Sequence, residues 1–306
     1  FGLSERISGS SLNRGVFVFE PTEKKVFQFL EDGYNLQDIS RDGKSLLINK
    51  SNQLFLFDLS TDNSVELTST FLPGTRSNAL FTTDSLNVVY VSRLNGYSTI
   101  EILQINSQSK SQVITPNHLS PFELISVSDI NHIYWKNIGC TETPICESGD
   151  VYVSNSNGEA KLLLDISMPI SSPDGSQIIQ TKTYENQLTP LQIMDIETDQ
   201  PQNVMASENT YIDYAWSPDA QKIATLIAFR DSYTGKVTGI RQYLISLSDS
   251  SIVQTNDIPA LNGRVSWSPD GSKIAEFNTL MSSQNTDIGK SQIGIFIIDV
   301  SSLNQS

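Results

Sequence analysis

The sequence predicts an all-β propeller from the spacing of one turn motif, from the strands around that motif and from the near absence of helical patterning. An aspartate, best preserved within Ser-Pro-Asp-Gly, recurs at positions 42, 84, 129, 174, 219 and 270, in steps of 42, 45, 45, 45 and 51 residues. A β-branched or apolar run follows each aspartate, and no segment shows a convincing 3.6-residue apolar rhythm. A period in the forties is typical of propeller blades.

Each repeat predicts a hairpin followed by two further strands. In the copy that begins at Trp267, proline presets φ for a turn, aspartate bonds its own backbone and glycine accepts a positive φ. The apolar run Ile274–Phe277 follows this turn as the second strand. A third strand, such as Gln53–Asp58, ends in a polar turn before a shorter fourth strand. Four antiparallel strands per period make a propeller blade.

These turns resemble the TolB-like propeller repeat, in which Ser-Pro-Asp-Gly precedes an Ile-Ala-type strand. The best-preserved copies lie at 171–176, 216–221 and 267–272, and the first three copies lack the proline. The resemblance covers residues from about 30 to 300. It implies a propeller of a bacterial envelope or secreted protein that serves binding or scaffolding, a TolB-like role in an envelope complex being one form of it.

We expect one domain over residues 1–306, with six four-stranded antiparallel blades. Their approximate bounds are 31–70, 71–116, 117–165, 166–208, 209–257 and 258–306. The last blade lacks a fourth strand in the sequence, and we expect residues 15–30 to supply it, which would close the ring and remove its open edges. The alternative is seven blades, one of them partial.

Charge and hydropathy exclude several classes of partner. The formal net charge is −14, which disfavours binding to nucleic acid or to an anionic membrane surface. No apolar run reaches the roughly 18 residues of a membrane span, so we expect no direct membrane insertion. The surface is rich in Ser, Thr, Asn and Gln, as in many exported bacterial proteins, and the chain opens at Phe1, which we interpret as a mature or trimmed product.

The two cysteines, Cys140 and Cys146, are separated by five residues. We expect a disulfide that pins a long loop, which indicates an extracytoplasmic location: periplasmic, cell-surface or secreted. The alternative is two unrelated free thiols in a cytosolic protein. The two cysteines and the histidines His118 and His132 do not have the spacing of a zinc site, so we expect no metal there.

A bound Ca²⁺ is the one cofactor that the sequence leaves open. Oxygen ligands occur at near positions in 58–63 and in 195–199, both at the turn between a third and a fourth strand. Turn formation explains both segments without a metal, so we expect no cofactor.

The predicted site is the face that carries the long loops between second and third strands, because function concentrates on loops held by a rigid scaffold. These loops are 136–149, 184–189, 230–239 and 278–292. Connections between blades reach the same face near the mouth of the central channel. The residues that we expect to contact a partner are Tyr34, Arg76, Phe122, Tyr211, Asp213, Arg230, Tyr233 and Arg264.

The sequence therefore predicts a non-enzymatic, extracytoplasmic binding or scaffold propeller that engages a protein partner, such as an envelope component. It contains no Gly-x-Ser-x-Gly nucleophile motif, and the repeated aspartates are turn residues first. We therefore assign no catalytic residue. Two alternatives stay open: a carbohydrate-active hydrolase that uses carboxylates at the channel mouth, such as Asp213 with another acid, and a structural unit of a surface assembly.

Overall fold

The computed structural model confirms the predicted fold class, an all-β propeller with six blades of antiparallel strands and almost no helix. It describes residues 2–4, 16–20, 23, 25–31, 33–73, 77–94, 97–113, 122–137, 151–163, 167–181, 189–196, 198, 200–207, 209–231, 233–280 and 292–305. The single helical element among these is a 3₁₀ segment, Val300–Gln305. None of the helical structure described is long and apolar enough to cross a membrane.

The chain divides into two compact units, residues 1–171 and 172–306, which are described in turn. The first unit contains sixteen strands within its described residues. They are β1 (Gly2–Ser4), β2 (Val16–Glu20), β3 (Lys25–Leu30), β4 (Tyr34–Ile39), β5 (Ser45–Lys50), β6 (Gln53–Asp58), β7 (Asn63–Thr68), β8 (Ala79–Phe81), β9 (Asn87–Leu94), β10 (Tyr97–Gln104), β11 (Ser109–Val113), β12 (Phe122–Val127), β13 (Ile133–Asn137), β14 (Val151–Ser154), β15 (Ala160–Leu163) and β16 (Ser167–Ser171).

The strands of the first unit pair antiparallel with their neighbours along the chain. Three sheets have four strands each: β4 to β7, β8 to β11 and β12 to β15. A further sheet contains β1, β2 and β3, in which β3 pairs with β2 from Val16↔Leu30 to Glu20↔Lys25. The described pairs thus place β3 in the N-terminal sheet, and the closure of the last blade by residues 15–30 stays a prediction.

The second unit contains ten strands within its described residues. They are β17 (Gln177–Thr181), β18 (Thr189–Asp195), β19 (Pro201–Ser207), β20 (Thr210–Trp216), β21 (Lys222–Arg230), β22 (Val237–Ser246), β23 (Ile252–Ile258), β24 (Ala260–Trp267), β25 (Lys273–Leu280) and β26 (Gln292–Asp299). Strands β17 to β19 pair consecutively, β20 to β23 form a four-stranded sheet, and β24 to β26 form a three-stranded one.

The apolar core lies between the faces of consecutive sheets. One cluster of the first unit joins strands β5 to β10 through Leu47, Leu54, Leu67, Phe81, Val88 and Leu103. A cluster of the second unit joins strands β21 to β25 through Leu226, Ile240, Ile258, Val265 and Ile274. Successive side chains of a strand point to opposite faces, and inner strands such as β5 and β21 are buried on both faces, so each can pack against the blades on either side.

Five of the six recurring aspartates close their turns with a shared set of hydrogen bonds; at Asp129 the residue two positions earlier is Val127, which has no hydroxyl. In the copy at Asp219, the hydroxyl of Ser217 donates to Asp219 Oδ1 over 2.5 Å, and the N–H of Gln221 donates to the same oxygen over 3.0 Å. The hydroxyl oxygen of Ser217 accepts the N–H of Lys222 over 2.8 Å. The same three contacts occur at Asp42, Asp84, Asp174 and Asp270. The interpretation of these aspartates as turn residues is confirmed.

At Asp270 and Asp42, these contacts favour the ionised carboxylate. The hydroxyl of Ser268, followed by the N–H and the hydroxyl of Ser272, lowers the pKa of Asp270 to about 2. The hydroxyl of Ser40 and the N–H of Lys44 lower the pKa of Asp42 in the same way. The charge of these aspartates therefore belongs to the turn structure rather than to a reactive site.

In these five turns, the residue that follows the aspartate adopts a positive φ, which glycine accepts without strain. Gly43, Gly175 and Gly271 have φ between 71° and 76°, but Ala220 takes the same position with a φ of 58°. A side chain at positive φ is strained by contact between Cβ and the following carbonyl. The copies in which Ala220 or Ser85 replaces the glycine therefore keep the turn at the cost of local strain.

We expect Ala220→Gly to raise the free energy of unfolding by up to about 1 kcal/mol, because it relieves this strain. The matched change Gly271→Ala should lower it by about the same amount. A Cβ at Gly271 would lie 3.6 Å from Pro218 Cδ, an ordinary contact, so the backbone alone is tested. Urea unfolding of both variants measures the effect, and equal stability of both with the wild type would contradict it.

Candidate functional site

Seven of the eight predicted contact residues lie within the described part of the chain, and they fall into both units. Tyr34 and Phe122 belong to the first unit, whereas Tyr211, Asp213, Arg230, Tyr233 and Arg264 belong to the second. Arg76 lies outside the described residues, as do Cys140 and Cys146 with their predicted disulfide. The three long loops other than 230–239 also fall largely outside them.

The two predicted residues of the first unit serve packing. Phe122 is 3% exposed, and its ring lies 5.3 Å from that of Trp135 in the core between β9 and β13. Tyr34 is half-buried beside Phe55 at a ring distance of 6.3 Å, with Lys50 Nζ 4.6 Å from its ring centre. Phe122 thus offers a partner almost no surface, because the first residues of β12 face the core.

In the second unit, Asp213 and Arg264 come together on the first strands of two successive blades. Arg264 Nη1 lies 3.8 Å from Asp213 Oδ1, and the N–H of Val265 donates to Asp213 Oδ2 over 2.9 Å. The Asp213 side chain is 10% exposed and that of Arg264 is 63% exposed. Asp213 therefore ties β20 to β24 and orients an exposed guanidinium. Tyr211, two residues earlier, is half-buried, and burial raises the pKa of its hydroxyl.

Asp38 forms the corresponding tie in the first unit. Its Oδ2 accepts the N–H of Phe81 over 2.8 Å, which links β4 to β8, and its Oδ1 accepts the N–H of Ile39. Burial raises the pKa of Asp38 to about 6 against the effect of these two hydrogen bonds. Asp38 was not among the residues predicted from the sequence. The feature that could have identified it is an acidic residue within the strand that precedes the turn.

The 230–239 loop is the predicted long loop that the structure shows in most detail, and it is a tightly bonded turn. Asp231 Oδ1 accepts the N–H groups of Tyr233 and Thr234 over 3.1 and 2.7 Å, and the hydroxyl of Thr234 over 2.8 Å. Arg230 Nη1 donates to the carbonyl of Gly235 over 3.0 Å. These contacts hold Tyr233 at the apex, where it is 96% exposed.

Below this turn, Arg241 is fixed by a ring and a carboxylate. Its guanidinium carbon lies 4.0 Å from the centre of the Phe229 ring, and its Nε donates to Asp257 Oδ2 over 2.9 Å. Hydrogen bonds to Asp257 and Tyr243 raise the pKa of Arg241. The contact of Arg241 with the Phe229 ring and its ion pair with Asp257 stabilise this part of the hairpin.

A buried polar network between the last two sheets was not predicted. Glu276 is fully buried, and its two carboxylate oxygens accept the side-chain amides of Asn278 and Asn256 over 2.8 and 3.1 Å. Burial raises the pKa of Glu276. Gly263 lies directly against Asn278, so a side chain there would overlap Asn278 Oδ1. The signal in the sequence is a glutamate and an asparagine two residues apart, on one face of an otherwise apolar strand.

The segments considered for Ca²⁺ begin with aspartates that bond their own turns. Asp58 Oδ1 accepts the N–H and the hydroxyl of Ser60 over 2.7 and 2.6 Å. Asp195 Oδ1 accepts the N–H of Thr198 over 2.9 Å. Within the described residues, no group of three or more His, Cys, Asp or Glu side chains is arranged to hold a metal ion.

Comparison with solved structures shows the fold. A putative TolB from Agrobacterium tumefaciens is 17% identical with a TM-score of 0.55, covering 86% of this chain and 96% of that chain. The propeller domain of the trilobed protease from Pyrococcus furiosus is 12% identical with a TM-score of 0.64, covering 96% and 90%. An oligogalacturonate lyase from Vibrio parahaemolyticus is 13% identical with a TM-score of 0.63, covering 99% and 82%.

No protein-family model and no curated protein matches the sequence. At these low identities the structural similarities establish the propeller fold, and TolB is among the proteins that share it. Propellers of this kind are scaffolds for binding in some proteins and for catalysis in others.

Proposed function

We propose that this chain is a non-enzymatic, extracytoplasmic binding scaffold that engages a protein partner through the long-loop face of its propeller. The observation that carries the proposal is Tyr233, 96% exposed at the apex of a turn whose backbone is fixed by Asp231. A tyrosine on a fixed backbone offers a partner a large contact area and loses little conformational freedom on binding. Tyrosine and arginine are also the residues most enriched among binding hot spots.

The described contacts of Asp38 and Asp213 favour this role over catalysis. A general acid or base must reach the proton that it transfers. Asp38 has both oxygens on backbone N–H groups, and Asp213 uses one oxygen for an N–H and faces Arg264 with the other. These groups are committed to joining strands.

A carbohydrate-active enzyme is the second candidate, because the oligogalacturonate lyase shares the fold over nearly the whole chain. Such an enzyme requires acidic side chains that reach a sugar, which Asp38 and Asp213 do not offer in their present contacts. The extracytoplasmic location is supported by the predicted Cys140–Cys146 disulfide and by the Ser-, Thr- and Asn-rich composition.

Replacement of Tyr233 by the photo-cross-linking residue p-benzoylphenylalanine tests the proposal in a cell-envelope extract. The matched control carries the same residue at Ile252, which is 44% exposed on β23 of the same sheet. We expect one protein to be cross-linked at position 233 and not at position 252. Once purified, the cross-linked partner should bind the Tyr233→Ala variant about 30-fold more weakly than the wild-type chain, which is the loss typical of a hot-spot tyrosine.

The same cross-linked proteins at both positions would contradict the proposal, as would unchanged affinity of Tyr233→Ala. Cleavage of an acidic oligosaccharide by the wild-type chain would support the enzyme instead. Loss of that cleavage in Asp213→Asn would assign it to the channel carboxylates.

A further inference from the structure

The hairpin of β21 and β22 projects beyond the strands that flank it. Pairing between β20 and β21 ends at Thr210↔Ala228, and pairing between β22 and β23 ends at Ile240↔Ile258. The two hairpin strands continue to pair as far as Arg230↔Val237. Residues 229–239, called the tip below, therefore extend past both neighbours, with Tyr233 at the outermost turn.

The tip region is basic in an acidic protein. Residues 229–239 contain two basic side chains, Arg230 and Lys236, and one acidic side chain, although the whole chain has a net charge of −14. Arg230 and Lys236 are exposed on either side of Tyr233. The one acidic residue, Asp231, directs a carboxylate oxygen to the turn N–H groups, which lowers its pKa. The tip therefore presents an aromatic ring flanked in sequence by two cations, with one carboxylate that is already engaged by the turn N–H groups.

We propose that the partner of the tip is a folded protein with a pocket for the Tyr233 ring, and that aspartate and glutamate side chains line the rim of that pocket. This inference rests on the proposed function and adds the shape and charge of the partner. Arg230 and Lys236 would contact the acidic rim while the ring enters the pocket. Opposite charges around an aromatic anchor give fast, oriented association.

The shape of the tip favours a folded partner over a glycan or a short peptide. Binding sites for small or linear ligands are concave and surround the ligand. The tip is convex, since Tyr233 is 96% exposed and the flanking strands end below it. The concave surface must then belong to the partner, and a folded protein can provide it.

The charge of the partner is tested with the purified protein that cross-links at position 233. The affinity and association rate of this partner are measured for wild type and for Arg230→Glu/Lys236→Glu. Both are measured at about 50 mM and about 300 mM NaCl, because the distance over which charges interact shortens as the salt concentration rises. The control is Lys222→Glu/Lys273→Glu, which makes the same charge change at the opposite ends of β21 and β25, beside the aspartate turns.

We expect the tip variant to bind about 30-fold more weakly, the control to stay within about 3-fold, and the wild-type association rate to fall about 10-fold with salt. Because Arg230 also braces the Gly235 carbonyl, Lys236→Glu alone provides a second test with the turn intact, and about a 5-fold loss is expected.

If both tip variants bind with unchanged affinity and the cross-link at position 233 is preserved, the inference that the partner has an acidic rim is overturned, and the proposed function stands. Absence of any cross-linked protein would overturn both. Binding of polygalacturonate that is lost in the tip variant, with no protein partner, would assign the tip to an acidic glycan and overturn the inference.

Discussion

Gly263→Ala is expected to lower the free energy of unfolding by about 3 kcal/mol, the upper range for an overpacked core. A Cβ at this position would overlap Asn278 Oδ1 and lie 2.9 Å from Leu226 Cδ1. Asn278 holds one oxygen of the buried Glu276, so its displacement leaves a buried carboxylate with fewer hydrogen bonds. Urea unfolding monitored by circular dichroism measures the loss.

Gly235→Ala is the control for this change. Gly235 has a φ of 66° with nothing within 4 Å of an added Cβ, so only backbone strain of about 1 kcal/mol is expected. A loss at Gly263 no larger than that at Gly235 would show that Asn278 moves aside without cost. The double variant Gly263→Ala/Asn278→Ala should be less destabilised than the sum of its single changes, because the overlap with the amide is removed.

Asp38→Asn is expected to destabilise the first unit at pH 7.5 by about 2 kcal/mol, the cost of a buried N–H without an acceptor. Each oxygen of Asp38 accepts a backbone N–H, and an amide replaces one of these acceptors with a donor. Asp58→Asn is the matched control. Its turn contacts with Ser60 and Thr61 all go to Oδ1, which asparagine retains, so a change below about 0.5 kcal/mol is expected there.

The effect of Asp38→Asn should depend on pH in a defined direction. The pKa of Asp38 is about 6 in the folded chain and about 4 when unfolded, so the folded state binds the proton more tightly between these values. Wild type therefore loses stability as pH rises from about 4 to 6, whereas the asparagine variant lacks this titration. The difference between them should grow as the pH is lowered through 6. A difference that is constant from about pH 4 to 7.5 would contradict the assignment.

The parts of the fold that sequence could predict are those whose contacts are local. A turn aspartate bonds a hydroxyl two residues before it and an N–H two residues after it, so a short motif contains the whole structure. Phe122 was predicted as a contact residue because it follows an inter-blade connection. Its burial against Trp135 depends on a strand that begins eleven residues later, which no local pattern specifies.

In the candidate site too, local contacts could be predicted from the sequence and contacts between distant residues could not. The Asp231–Lys236 turn could be predicted as an exposed loop with an aromatic residue, and the structure places Tyr233 at its apex. The ties made by Asp38 and Asp213 join residues 43 and 52 positions apart, so only the packing of successive blades reveals them. Glu276 was hidden because one of its two partners, Asn256, lies on another strand, 20 residues earlier in the sequence.

The Ser/Thr-x-Asp turn has a consequence for how this chain can diverge. All of its side-chain bonds close within six residues, as from Ser217 to Lys222, and they need neither the proline nor the glycine of the full motif. Each module can therefore accumulate substitutions independently while the geometry of its bend persists. A fold built from such modules can persist at low sequence identity, as in the propellers that share 12–17% identity over 86–99% of this chain.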